Sequence, residues 1–231
     1  MSYYYNYQRV SFGGPLTPAV KSLLIACGAT FILQQLAGGK MLYIFGLVPF
    51  IFWKDLFLWQ LVSYMFLHGD TFHLLFNLLA LYMFGCELER VWGSRFFLKY
   101  FFITGIGAGI SSVCLTPSVA VPTVGASGAI FGLLLAYALY YPNQIVYFNF
   151  LFPIKMKYLV IIYGLWTFYL SFAGTGGNIA HIAHLGGMLF GFIYLRPYFF
   201  LTFFAHLLYK IKLMWFRRRF RVIEPRKKNK R

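Results

Sequence analysis

Residues 123–141, TVGASGAIFGLLLAYALYY, combine an apolar helix with a serine at its start. Ser127 lies between Gly125 and Gly128, directly after a proline-interrupted loop. Irregular backbone at membrane depth is tolerated only where protein covers it or where it lines a water-filled cavity. The free amides and positive dipole of a helix start suit a developing negative charge there. The alternative is a small residue for close helix packing, which the Gly128 and Gly132 pair supports equally well.

The composition around this stretch is that of a membrane protein. Of 231 residues, 60% are hydrophobic and 11% are charged, with a mean hydropathy of +0.68. A soluble domain of this size cannot hide so much apolar surface. We therefore predict an all-α polytopic bundle. A span needs about 20 mostly apolar residues, and six candidates are found, at 18–37, 71–88, 95–115, 125–141, 157–173 and 177–195.

The segment between the first two candidates, residues 37–70, is too apolar for an exposed loop and too interrupted for a span. It is predicted to be a structured loop lying partly in the membrane interface, with Trp53 and Trp59 at headgroup level. On either side of the bundle, residues 1–17 and 196–231 form cytoplasmic segments. The apolar run after Arg196 is too short to cross again and is predicted to be an interfacial helix.

The net charge of +16 comes largely from basic residues near the C-terminus. In a six-span arrangement these and most other Lys and Arg residues fall on one side, so both termini are predicted to be cytoplasmic. The tail is expected to meet anionic lipid headgroups rather than nucleic acid. We expect no cleavable signal or transit peptide, because the Tyr-rich start has neither pattern. The lipid bilayer is thus the first predicted partner.

Polar residues within the spans are few, and ionisable groups are costly in lipid. His73 and Asn77 are four residues apart and share a helix face, although a pair of helix–helix hydrogen bonds would explain them as well. Asp70 or Thr71 can cap that helix. In the sixth candidate His184 lies on one stripe with two glycines, Gly187 and Gly191. Such a stripe predicts close contact with the glycine face of the fourth helix, and hence a serine–histidine hydrogen bond.

Other intramembrane chemistries lack the residues they need. None of the five acidic residues lies in the middle of a span, which excludes a two-aspartate protease. No histidine begins an H-E-x-x-H pattern. Cys27, Cys86 and Cys114 have no paired spacing and are predicted to be small core residues. We therefore expect no metal and no cofactor.

Five motifs, in order, resemble the rhomboid intramembrane serine proteases over nearly all of residues 18–195. They are WQLVSYMFLH (59–68), HLLFN (73–77), FGCELERVWGS (84–94), GASG (125–128) and AHLGG (183–187), the last followed by Gly191. The resemblance implies a six-span bundle of the bacterial type with a membrane-associated first loop.

The resemblance also implies roles for individual residues. Ser127 corresponds to the nucleophile, and His184 to the general base, because it alone fits A-H-x-x-G-x-x-x-G. His181 fits that pattern poorly. His73, Asn77 and the backbone amide of Ser127 correspond to the oxyanion hole.

Several further positions follow from the same resemblance. His68 corresponds to a structural histidine bracing the first loop, and Glu89 and Arg90 to a structural pair. Gln60 departs from the family, which usually has Arg after Trp, so a loop-anchoring salt bridge is lost. Phe131 replaces a Tyr of some members that stacks on the catalytic histidine, and Phe can still stack.

The function implied is cleavage of other membrane proteins within or beside their transmembrane segments. The catalytic site would open to the extracytoplasmic side, and a bacterial plasma membrane is the expected location. One alternative is a proteolytically inactive relative that binds or escorts membrane clients. A transporter is the other, and no inverted-repeat symmetry favours it. Substrate identity, cleavage preference and oligomeric state stay open at this stage.

Overall fold

The computed structural model describes residues 14–148, 151–172 and 178–219. The described chain is mainly helical. Its elements, in order, are α1 (Pro18–Ala37), α2 (Lys40–Phe45), α3 (Pro49–Asp55), α4 (Gln60–Ser63), a 3₁₀ turn (Tyr64–Phe66), α5 (Thr71–Ala80), a π-helical segment (Leu81–Gly85), α6 (Cys86–Trp92), α7 (Ser94–Leu115), α8 (Ser127–Tyr140), β1 (Ile145–Phe148), β2 (Phe152–Lys155), α9 (Met156–Phe172), α10 (Asn178–Leu195) and α11 (Pro197–Arg219).

Each predicted span coincides with a helix to within a few residues. Within the described ranges, three helical stretches are long and apolar enough to cross a membrane: Pro18–Ala37, Thr71–Trp92 and Ser94–Leu115. Three more apolar helices are shorter: Ser127–Tyr140, Met156–Phe172 and Ala180–Leu195. The second long stretch runs through α5, the π-helical segment and α6, so the span predicted to end at residue 88 continues to Trp92.

Helix α8 lies deep in the bundle because glycines let α7 approach it closely. A Cβ added at Gly128 would lie 2.6 Å from the Cβ of Ala108, and one added at Gly132 would lie 2.6 Å from the Cβ of Thr104. Both partners are on α7 and fully buried. The glycine pair of α8 therefore packs against α7, as the helix-packing alternative required, while Ser127 stands at the free end of the same helix.

A buried carboxylate joins the starts of two helices. Glu89 is 3% exposed and accepts hydrogen bonds from the Thr17 hydroxyl, from the amides of Ala19 and Val20 at 2.9 Å each, and from the Ser94 hydroxyl at 2.5 Å. The first amides of a helix have no partner within the helix. Glu89 is such a partner for two amides of α1. It also accepts a hydrogen bond from Ser94, the first residue of α7.

Replacing Glu89 with alanine is expected to lower the free energy of unfolding by about 3 kcal/mol or more, because four donors lose a charged acceptor. Thermal unfolding in detergent would measure the change. Glu87→Ala is the matched control, since Glu87 makes an ion pair of 3.3 Å with Arg90 on the same helix, worth about 0.5 kcal/mol. Equal effects of the two substitutions would contradict the assigned role of Glu89.

The first loop is structured, as predicted, and its anchors are hydrogen bonds to backbone groups. Gln60 is fully buried; its Oε1 accepts from the Val48 amide at 3.1 Å, and its Nε2 donates to the Tyr43 carbonyl at 3.0 Å. The loop is thus anchored at Gln60 by neutral hydrogen bonds. The indoles of Trp53 and Trp59 are about half exposed and donate to backbone carbonyls of Val113 and Ile44.

Two predictions were wrong in detail. The fold is not purely helical, because β1 and β2 form an antiparallel hairpin between α8 and α9, with Val146 opposite Ile154. Cys27 and Cys86 are buried as expected, but Cys114 is exposed near the end of α7. The neighbouring Val113 is buried, so Cys114 lies on the outward side of the last turn of α7.

The chain divides into two compact units, one ending at Tyr194 and the other beginning at Leu195. The second unit contains α11, a helix as predicted, whose apolar residues include the exposed Tyr198, Leu201 and Leu208. Its interfacial placement stays a prediction. Residues 1–13 and the basic tail after Arg219 lie outside the described residues, so the proposed lipid contacts of that tail do too.

Candidate active site

The predicted serine and histidine meet in the structure. Ser127 is the first residue of α8, and its Oγ lies 2.7 Å from Nε2 of His184, 57 positions later on α10. The His184 ring stacks on Phe131, one turn after Ser127, with centroids 4.2 Å apart and an interplanar angle of 2°. The hydrogen bond and the stacking together fix the orientation of the imidazole.

A glycine brings α10 close enough to α8 for this contact. A Cβ added at Gly187 would overlap the carbonyl oxygen of Gly128. Gly191, predicted to face α8 as well, instead packs against α7, where an added Cβ would overlap the Tyr100 hydroxyl. The two glycines of α10 therefore face different helices. Gly187 contacts α8, and Gly191 contacts α7.

His181 lies near the pair but outside it. Its ring centroid is 6.2 Å from that of His184 in an edge-to-face arrangement. Its Nδ1 is buried and has no hydrogen-bond partner among the described residues. Of these two histidines, His184 is thus the one hydrogen-bonded to Ser127.

His73 approaches Ser127 from the second helical stretch. Asp70, rather than Thr71, caps α5, accepting the amide of His73 at 2.8 Å. Asn77, one turn on, donates from Nδ2 to the His73 carbonyl at 2.7 Å, and its Oδ1 is buried without a partner in the described part of the chain. An amide nitrogen has two N–H groups, so Asn77 keeps one donor for another acceptor.

Gly125 leaves a space between the His73 ring and the serine. Its φ of +116° is a backbone conformation that residues other than glycine rarely adopt. A Cβ placed there would lie 2.7 Å from His73 Nε2 and 3.7 Å from Ser127 Oγ. The His73 ring therefore lies against the backbone that leads into Ser127, on the same side of Gly125 as the hydroxyl.

A largely apolar cleft leads away from Ser127. It has a volume of about 360 Å³, which is within the usual size of ligand pockets. Ser127, Phe131 and Leu134 line it along one face of α8. The residues that complete the lining come from α5, the π-helical segment, α8, the hairpin and α9: Phe76, Asn77, Leu79, Ala80, Met83, Phe84, Ile130, Val146, Tyr147, Leu159 and Tyr163.

His68 is fully buried beside this site. Its ring lies edge-on to that of His73, with centroids 5.2 Å apart, and Nδ1 is 3.3 Å from the Phe66 carbonyl. Burial, and secondarily the nearby imidazole of His73, lower the pKa of His68 to about 4, although the Phe66 carbonyl opposes the shift. His68 is thus buried and neutral, and its structural role in the first loop stays a prediction.

Lowering the pH is expected to destabilise the protein through His68. The unfolded chain binds a proton near pH 6.5, and the folded one only near pH 4, so stability falls as the pH drops through that window. At pH 5 the loss attributable to His68 is about 2 kcal/mol relative to pH 8. Thermal unfolding across this range should show a slope that His68→Phe reduces. The exposed control His206→Gln should keep the slope, and an unchanged slope in His68→Phe would contradict the assignment.

Sequence reasoning missed one polar residue near the site and one wall of the cleft. Gln34, on α1, is 6% exposed and hydrogen-bonded to the backbone of His68. The signal was a glutamine near the end of an otherwise apolar span. The hairpin contributes Val146 and Tyr147 to the cleft, and no periodic pattern indicated its strands.

Comparison with known proteins identifies the family of the chain. Residues 56–200, well over half of the chain, match the Rhomboid domain. Similar proteins include the rhomboid protease GluP of Bacillus subtilis (strain 168), 38% identical over 58% of this chain and 25% of its own length. RHOMBOID-like proteins 5 and 2 of Arabidopsis thaliana are 34% and 36% identical over 60% and 58% of the chain, and 45% and 40% of their own lengths. The chain thus spans less than half the length of these relatives. It is an integral membrane protein and belongs to the rhomboid family.

Proposed function

We propose that this protein is an intramembrane serine endopeptidase that cleaves transmembrane proteins within or next to their membrane-spanning segments. The observation that carries the proposal is the 2.7 Å contact between Ser127 Oγ and His184 Nε2. A serine hydroxyl is a weak nucleophile until an adjacent base accepts its proton. Among the described residues no carboxylate lies within hydrogen-bonding distance of His184, so the proposed unit is a dyad.

In the proposed reaction, the Ser127 Oγ–H proton moves to Nε2 of His184 as Oγ attacks the scissile carbonyl carbon. The negative charge on the carbonyl oxygen is stabilised by the Nε2–H of His73, the free Nδ2–H of Asn77 and the amide of Ser127. His184 then gives its proton to the leaving amine as the C–N bond breaks. Water, with His184 again as base, hydrolyses the acyl-enzyme and regenerates the serine.

The proposed substrate is a transmembrane segment that unwinds locally near the cut. The apolar cleft that begins at Ser127 suits such a chain, and lipid surrounds both partners. No cofactor enters the proposed chemistry. Six further residues would shape the site without taking part in the reaction: His68, Gly125, Gly128, Phe131, Gly187 and Gly191.

The proposed topology has six spans, with both termini cytoplasmic and the dyad reached by water from the extracytoplasmic side of a bacterial plasma membrane. The distribution of basic residues supports this orientation. Helix α11 would then lie in the cytoplasmic interface. Protease treatment of intact cells carrying a C-terminal tag should leave the tag uncleaved. Degradation of the tag would contradict the cytoplasmic placement.

The proposal is tested with the purified protein in liposomes and a reporter with one transmembrane segment. Mass spectrometry of the products should locate a single cut within or beside that segment. A chain that binds the reporter without cutting it would instead support the escort alternative, which membership in the family alone leaves open. Saturable uptake of a small solute by the same liposomes would favour a transporter.

A further inference from the structure

Gln34 makes an unusual pair of hydrogen bonds. Its Nε2 donates to the His68 carbonyl at 2.6 Å, and its Oε1 accepts from the His68 amide at 3.2 Å. One buried side-chain amide thus satisfies both backbone groups of a single residue, 34 positions away in the chain. The last turn of α1 is thereby joined to the segment that leads into α5.

The segment held by Gln34 contacts His73 directly. The amide of Gly69, which follows His68, donates to Nδ1 of His73 at 3.3 Å. A backbone amide can only donate, so Nδ1 must be the unprotonated nitrogen of a neutral imidazole. The ring proton then lies on Nε2. The Gly69 amide thus selects the tautomer of His73, as the partner of one ring nitrogen commonly does.

The selected proton is on Nε2, the nitrogen on the Gly125 side of the ring. Nε2 of His73 is the atom that borders the space left by Gly125, next to Ser127 Oγ. In the other tautomer Nε2 would carry a lone pair and would repel a negatively charged oxygen at the same place. The position of the Gly69 amide therefore decides whether His73 can stabilise an oxyanion.

We propose that Gln34 is a positioning residue: by fixing the backbone of His68 and Gly69, it holds His73 in the Nε2–H tautomer directed at the space beside Ser127. The proposal rests on the proposed function in one respect, that His73 is an oxyanion donor. Gln34 itself lies behind this histidine and is not a catalytic residue.

A purely structural role for Gln34 makes different predictions. If Gln34 only stabilised the junction between α1 and the first loop, its loss would lower the unfolding temperature and leave the tautomer of His73 unchanged. A positioning role requires a change at the His73 ring in protein that is still folded. The two roles can therefore be separated by observing the ring nitrogens themselves.

The first test is ¹⁵N NMR of the full chain in detergent, with the histidine rings labelled. Protonated and unprotonated nitrogens of a neutral imidazole have well-separated shifts, and His73→Gln identifies the His73 signals. The parent should show His73 as the Nε2–H tautomer alone. Gln34→Met, which keeps the size but removes both bonds, should show a mixture of tautomers, and Gln35→Met, at an exposed site on the same helix, should match the parent.

Either of two results would overturn the proposal: an Nδ1–H tautomer in the parent, or an unchanged Nε2–H tautomer in folded Gln34→Met. If Gln34→Met does not fold, Gln34→Asn replaces it. The asparagine amide is one methylene too short to reach both backbone groups of His68, so a partial tautomer shift is expected. An unchanged ring in Gln34→Asn would overturn the proposal equally.

Kinetics in liposomes provide the second readout. Removing one oxyanion donor costs about 10²–10³-fold in kcat, so misplacing one through Gln34→Met should lower kcat at least about tenfold. KM should change by less than about twofold, since the substrate cleft is untouched. Unchanged kcat would overturn the proposal. A parent that cleaves nothing would refute the protease function, and the NMR result would still decide the role of Gln34.

Discussion

Replacing either Ser127 or His184 with alanine should lower the cleavage rate of a transmembrane reporter by at least about 10⁴-fold. Each member of a serine–histidine unit depends on the other, because the hydroxyl attacks only as its proton leaves. In a soluble serine protease the loss of either partner costs about as much as the loss of both. The double variant should therefore be no slower than the single ones. Product formation in liposomes, followed by gel or mass spectrometry, measures the rates.

His181→Ala is the matched control for this experiment. His181 is on the same helix, one turn away, and its ring is not hydrogen-bonded to Ser127. Its removal should leave the rate within about threefold of the parent, too small a change for the loss of a general base. Cleavage that persists in Ser127→Ala would refute the serine mechanism. Cleavage that persists in His184→Ala and disappears in His181→Ala would exchange the roles of the two histidines.

The second large effect is expected from a single methyl group. Gly187→Ala places a Cβ on the Gly128 carbonyl oxygen, a backbone atom that cannot rotate aside. Helices α8 and α10 must then separate, and His184 moves away from Ser127 with its helix. A displacement of about 1 Å at reacting groups can cost 10²-fold in rate. We expect at least that loss, with a lowered unfolding temperature measured on the same sample.

Gly28→Ala provides the comparison, because Gly28 is also within a long helix but, among the described residues, no atom outside its own stretch of helix lies within 4 Å of an added Cβ. It should keep full activity and could gain stability, since alanine favours helix over glycine. If Gly187→Ala cleaved as fast as Gly28→Ala, close contact between α8 and α10 would not be what positions the dyad.

The sequence predicted features that depend on local pattern. Apolar runs located the six helices, and the spacing of His184 and Gly187 predicted the close approach of α10 to α8. The i, i+4 pair of His73 and Asn77 predicted a shared face. These features follow from helix periodicity, which residue spacing alone determines.

Features that depend on distant partners were not predictable in the same way. Gln34 and Gln60 form hydrogen bonds with backbone groups. Nearly every residue has these groups, so the sequence does not indicate which residue is the partner. The hairpin strands IVYF (145–148) and FPIK (152–155) carry no polar alternation, so they could not be distinguished from helix ends. The contact of Gly191 with α7 rather than α8 depends on how three helices cross, which no single-helix pattern specifies.

The hydrogen bonds between Glu89 and the start of α1 can form only after both segments have been synthesised. The carboxylate that satisfies the first amides of α1 is 70 and 69 positions later than the residues it serves. At about 5–20 residues per second, the ribosome needs several seconds to synthesise the intervening chain. During that interval water or headgroups must solvate the start of α1. The first helix can therefore be inserted early, but Glu89 can cap its first turn only after the second helical stretch has also left the ribosome.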